Sequence, residues 1–250
     1  MSDDAIQPHS SGAPPASGPN APDAMIDEPA FRRTWTRDPG CYGWLTTTDH
    51  KEIGRRFIVT AFVFFLLGGV LAALMRLQLA QPENDFLSPD RYNQIFTMHG
   101  VTMMFLFAVP MVEALGIYFV PLMVGTRNLA FPRLNTFSYY IYLFGGVLLY
   151  AGFILDIGPD AGWFAYVPLA GPEFSPGKRM DFWAEIITFL EISALVGAVE
   201  LIATILKLRS PGMTLRRMPI FVWAMLVTSV MIVFAMATVE VASIYLILER

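Results

Sequence analysis

The chain has 250 residues, 55% of them apolar, a mean hydropathy of +0.51 and a formal net charge of −4. A soluble domain has no use for several uncharged stretches of about 20 residues, the number that crosses the hydrocarbon core of a bilayer as a helix. The small, unclustered charge offers nucleic acid no basic surface, and the single cysteine, Cys41, cannot close an internal disulfide.

Residues 1–40 are rich in Pro, Ser, Ala and Asp, as in Pro14-Pro15 and Ala21-Pro22-Asp23. Such a stretch buries too little apolar surface to offset the entropy of ordering, so it reads as a disordered tail. It lacks the apolar core of a signal peptide, and Asp3 and Asp4 argue against a transit peptide, so a cytoplasmic N-terminus is expected. Residues 41–250 then read as one all-α, polytopic transmembrane bundle. Its five apolar segments cover roughly 57–80, 97–124, 137–156, 184–206 and 219–248. A helix is the open-ended structure that satisfies its own backbone in lipid. The pairs Gly68-Gly69 and Gly145-Gly146 are patches where helices can approach closely. Pro110 interrupts the second segment and should kink it, leaving a carbonyl without its usual partner.

Loop charge predicts the orientation. Arg32, Arg33, Arg37, Lys51, Arg55 and Arg56 precede the first segment, Arg127 and Arg133 follow the second, and Lys207, Arg209, Arg216 and Arg217 follow the fourth. The alternate loops hold only Arg91, Lys178 and Arg179, beside Glu83, Asp85, Asp90, Asp156, Asp160 and Glu173. The N-terminus is therefore expected inside, with Glu249-Arg250 on the outer side.

Of the three histidines, His9, His50 and His99, only His99 falls at membrane depth, near the outer end of the second segment. It reads either as a hydrogen-bonded interfacial histidine or as a ligand to iron, with Gly100 letting a flat macrocycle approach. Arg76 ends the first segment on the same side, either snorkelling to headgroups or donating to a bound cofactor. Trp163 and Tyr166, in the outer third-to-fourth loop, are interface anchors or donors to a cofactor's anionic groups. Four acids lie inside the segments, Glu113, Glu191, Glu200 and Glu240, with no Lys or Arg mid-membrane to pair with them. They read as proton relay groups, Glu113 foremost, or as carboxyls hydrogen-bonded between helices. No phosphate loop, CxxC pair, His-Glu-x-x-His run or nucleophile triad competes.

Several strings, in order, carry a family resemblance: Thr48-Asp49-His50-Lys51-Glu52-Ile53-Gly54, Met75-Arg76-Leu77, Tyr92-Asn93 and Met98-His99-Gly100. The inner loop adds Val120-Pro121-Leu122-Met123-Val124-Gly125 and Ala130-Phe131-Pro132-Arg133-Leu134-Asn135. Gly162-Trp163, Tyr166-Val167-Pro168-Leu169 and Pro219-Ile220-Phe221-Val222-Trp223 extend it. Together residues 42–250 resemble the N-terminal part of subunit I of the haem-copper respiratory oxidases, in a divergent branch.

The resemblance implies the first five of about twelve helices. It makes His99 an axial ligand of a low-spin haem, of haem a type, with Arg76 bonded to that haem's periphery and Trp163 near its propionates. It implies electrons from cytochrome c, with a quinol as the alternative donor, passing to a haem-copper pair that reduces O2 to water with proton uptake. A fold-retaining membrane protein without chemistry is the rival reading. The expected setting is a bacterial plasma membrane, beside subunits of II and III type and the remainder of subunit I. The high-spin haem and copper are expected on later helices, so these residues read as a fragment or half of a split subunit. Asn128 stands where the proton-conducting members carry an aspartate, Ile117 replaces an asparagine, and Ser193 is followed by Ala194. These departures point to Glu113, or another route, for proton entry.

Overall fold

A computed structural model of the chain describes residues 40–250. The expected tail lies outside the described residues except for Gly40. The chain divides into two units, and of the one ending at Leu45 the structure describes most of a short helix α1, Gly40–Thr46. The other, Thr46–Arg250, carries five helices long and apolar enough to cross a membrane. They are α2 (His50–Gln78), α3 (Pro89–Val124), α4 (Pro132–Ile154), α5 (Arg179–Lys207) and α6 (Ile220–Glu249).

Four of the five helices start five to eight residues before the apolar run that marks them in sequence, because their first turns run through polar residues beyond the lipid-facing stretch. Asp49 caps α2, accepting the Lys51 backbone N–H at 2.9 Å and pairing with its Nζ at 2.9 Å. Burial alone would raise the Asp49 carboxyl, but its hydrogen bonds and charge pairing with Lys51 hold it below its ordinary 3.8. Ser88 caps α3, and Pro89 and Pro132 occupy first-turn positions whose N–H would be unpaired anyway.

Successive spans run antiparallel, and the end contacts show it. At the basic end Asn128 Nδ2 donates to Thr48 O at 2.8 Å, and the Ser210 N–H to Val124 O at 3.0 Å. At the opposite end Arg179 pairs with Asp90 and Asp160 at 3.0 Å and with Asp156 at 3.5 Å, tying the first turn of α3 and the α4–α5 loop to α5. Arg250 adds an ion pair to Asp181. Within the bundle α5 is the most enveloped span, packed on α3, α4 and α6, and α6 the least.

Three of the four paired glycines act as close-approach points. Met103 and Thr102 fill the space beside Gly68, Leu190 that beside Gly145, and Phe64 that beside Gly146. Gly69 meets nothing, so only one member of the first pair serves packing.

Pro110 leaves a carbonyl without its usual donor, as expected. Its ring nitrogen cannot donate to the carbonyl of Leu106, four residues back. Thr102–Ala108, which end two residues before it, are wound as π helix, and the hydroxyl of Tyr142 on α4 donates to Leu106 O at 2.7 Å. Tyr142 is buried, stacked on Phe57 of α2 at 5.2 Å. Tyr142→Phe should therefore lower unfolding stability in detergent micelles by about 1 kcal/mol. The same change in a Pro110→Ala background should cost less, because the restored N–H serves Leu106, and a double-mutant cycle reads the difference.

Candidate functional site

His99 lies ten residues into α3, about 15 Å along the axis from its start. Its ring reaches α2, with Nδ1 2.9 Å from the backbone oxygen of Gly68. A carbonyl oxygen only accepts, so Nδ1 carries the proton and, in the neutral ring, Nε2 presents a lone pair. This is how a metal-ligating imidazole is fixed in tautomer and orientation. The bond depends on the close α2–α3 contact at Gly68.

The residue after His99 sets the second element of the site. A Cβ on Gly100 would stand 2.8 Å from Cγ of Trp163, so the indole packs directly on the glycine. The room expected there for a macrocycle is thus taken by Trp163, because the loop folds back over α3. The loop is held in place by the Gly162 N–H donating to Thr97 Oγ1 at 2.8 Å, with Gly162 in the left-handed region at φ +84°. Trp163 meets Phe105 edge-on at 6.4 Å, and its Nε1–H has no hydrogen-bond partner among the described residues.

Arg76 is exposed at the same end of the bundle, eight residues or about 12 Å beyond Gly68 on α2. No described residue pairs with it. Tyr166 is 66% exposed and joins the group only through Phe164, which lies between its ring, at 4.5 Å, and Trp163, at 5.8 Å. The structure thus brings His99 and Trp163 together, leaves Arg76 free on the same side, and puts Tyr166 at the loop's surface. The His99 lone pair and the unpaired donors of Trp163 and Arg76 are the groups here that would hold a haem.

The four acids of the spans, Glu113, Glu191 and Glu200 buried and Glu240 half-buried, lie in two pairs, which their separate positions in sequence did not reveal. Glu191 on α5 faces Glu240 on α6. Glu113 on α3 faces Glu200 on α5. Gly197, one helical turn before Glu200, gives the Glu113 carboxyl its seat, since a Cβ there would stand 3.0 Å from Oε1. The Gly197-x-x-Glu200 spacing was the available signal. Asn135 of α4 is close to the Glu200 carboxyl. Asn128, by contrast, is fully engaged, since Oδ1 accepts from the Leu129 N–H at 2.9 Å while Nδ2 holds Thr48. Among the described residues no three His, Cys, Asp or Glu side chains converge as a metal site.

Among known proteins, the chain matches the family described as Cytochrome C and Quinol oxidase polypeptide I over residues 52–250. It is 47% identical over 208 residues to a Streptomyces coelicolor protein named as a cytochrome c oxidase subunit 1-beta, covering 83% of this chain and 36% of that one. It is 41% identical over 209 residues to the cytochrome c oxidase subunit 1 of Bacillus sp. PS3, covering 84% and 34%. A haem-copper oxidase subunit I+III of Aeropyrum pernix is 41% identical over 210 residues, covering 84% and 26%. The chain therefore spans 26% to 36% of the length of these relatives.

Gly100→Ala should displace the Trp163 indole. Hydrogen exchange in residues 157–170 should then rise at least several-fold while the helices keep their protection.

Proposed function

We propose a function from one premise: this chain belongs to the cytochrome c and quinol oxidase polypeptide I family. It is the haem-entry part of the catalytic subunit of a terminal respiratory oxidase. That enzyme would take electrons from cytochrome c and reduce O2 to water with proton uptake, a low-spin haem a supplying the electron relay and a haem-copper site the oxygen chemistry. The observation that carries this reading is the His99 Nδ1 bond to Gly68 O, which leaves Nε2 ready to ligate iron.

The haem would supply a one-electron redox centre inside the bilayer. His99 would hold it on one side and Arg76 and Trp163 would donate to its anionic periphery. Tyr166 serves as an interfacial anchor rather than a direct contact. The second axial ligand, the high-spin haem and the copper belong to the remainder of the complete subunit. Subunits of II and III type are its partners, and the name of the Aeropyrum pernix relative, which joins I and III, supports that association.

In the bacterial plasma membrane the end carrying Arg127, Arg133, Arg209, Arg216 and Arg217 faces the cytoplasm. The haem then lies toward the outer face and protons enter from the basic end. Asn128 has no proton to exchange and both its polar atoms are committed to backbone groups, so uptake passes to Glu113.

In the complete oxidase, His99→Ala should abolish the low-spin haem absorption band and lower turnover at least a hundredfold. A normal low-spin spectrum in that variant would contradict the assignment and favour a fold-retaining protein without the chemistry. Trp163→Phe keeps the ring and removes the donor, so it should shift the haem's reduction potential while the band persists.

A further inference from the structure

The polar groups of three helices descend like steps from the basic end. Asn135 lies three residues into α4, Glu200 seven residues before the end of α5, and Glu113 eleven before the end of α3. At the rise of an α-helix these depths are roughly 5, 10 and 17 Å. All three side chains are buried, with exposures of 0%, 0% and 2%.

Five of their polar atoms have no hydrogen-bond partner: both side-chain atoms of Asn135, both oxygens of Glu200 and Oε1 of Glu113. Buried polar atoms in proteins are almost always paired, with ordered water where no protein group reaches them. Five such atoms, spaced along the bundle from the basic end inward, are a demand for small hydrogen-bonding partners. Gly197 keeps the space open, since any side chain there would press on the Glu113 carboxyl.

The surroundings leave water and a proton as the fitting occupants. Glu113 is faced by Glu200 from α5 and by Tyr142 from α4. At this level α2 presents Phe57 against Tyr142, and α6 presents Met225 against Gly116. The buried Arg56, six residues into α2, lies at about the depth of Glu200, and no Lys or Arg of the spans reaches the depth of Glu113.

We propose that Glu113, Glu200 and Asn135 form a hydrated proton-holding site, in which the two carboxyls share one exchangeable proton drawn from the basic end. It rests on the oxidase reading and adds Glu200 and Asn135 to it. A proton arriving from water at the basic end forms an O–H bond on one carboxylate. It leaves to water or the next acceptor as that bond breaks, with no other change. Asn135, able to donate and accept, holds the entry water beside Glu200.

The test is infrared difference spectroscopy on the complete oxidase, in H2O and D2O across pH, with turnover and haem spectra on the same samples. One exchangeable carboxyl band should be present and should vanish in both Glu113→Gln and Glu200→Gln, with turnover at least tenfold lower in each. Gly197→Ala, which crowds the carboxyl without removing it, should shift the band. A band that survives either glutamine variant, or a separate band lost in each, overturns the shared site. A high-resolution density map of the unaltered enzyme gives the answer even if the variants do not assemble. Ordered water touching Glu113, Glu200 and Asn135 is expected, and a dry pocket overturns the proposal. Absence of low-spin haem from the unaltered enzyme would instead fail the oxidase reading, whatever the carboxyl band shows.

Discussion

The middle of a bilayer supplies no water to a backbone carbonyl, an imidazole or a carboxyl, so each polar group in the spans must find its partner within the protein. This constraint organises the bundle. Where Pro110 withdraws a donor, α3 rewinds over Thr102–Ala108 and Tyr142 crosses from α4 to Leu106 O. The hydroxyl of Thr102, in the same segment, bonds Tyr150 of α4 at 3.0 Å. The irregular stretch is therefore the place where α3 is held to its neighbours by side chains, and it begins three residues after His99.

The same requirement fixes the histidine. Gly68 has no side chain, so α3 comes near enough for His99 to give its proton to the α2 backbone. One nitrogen is satisfied and the other keeps its lone pair. The loop over Gly100 is anchored by charges at the water boundary, where Arg179 gathers Asp90, Asp156 and Asp160. Exposed pairs of this kind contribute little each, and their value lies in fixing the loop's position above the site.

The helix count, the antiparallel order and the disturbance at Pro110 were legible because they follow from length, hydropathy and single-residue chemistry. Helix starts were not, because Asp49, Ser88 and the early prolines extend the spans through polar residues that hydropathy ignores. The role of Gly100 was read as room for a cofactor, whereas the returning loop fills it with Trp163. The pairing of Glu113 with Glu200 needed two helices placed side by side. Likewise Asn128 showed in sequence only what it could not do, while the structure gives it the task of tying the loop to Thr48.

The central claim is that His99 presents Nε2 to an iron while Nδ1 stays on Gly68. A high-resolution density map of the complete subunit, purified with its haem, tests it most directly. The account requires an iron bonded to His99 Nε2 with the Gly68 bond intact. A haem whose two axial ligands are both other residues would contradict it.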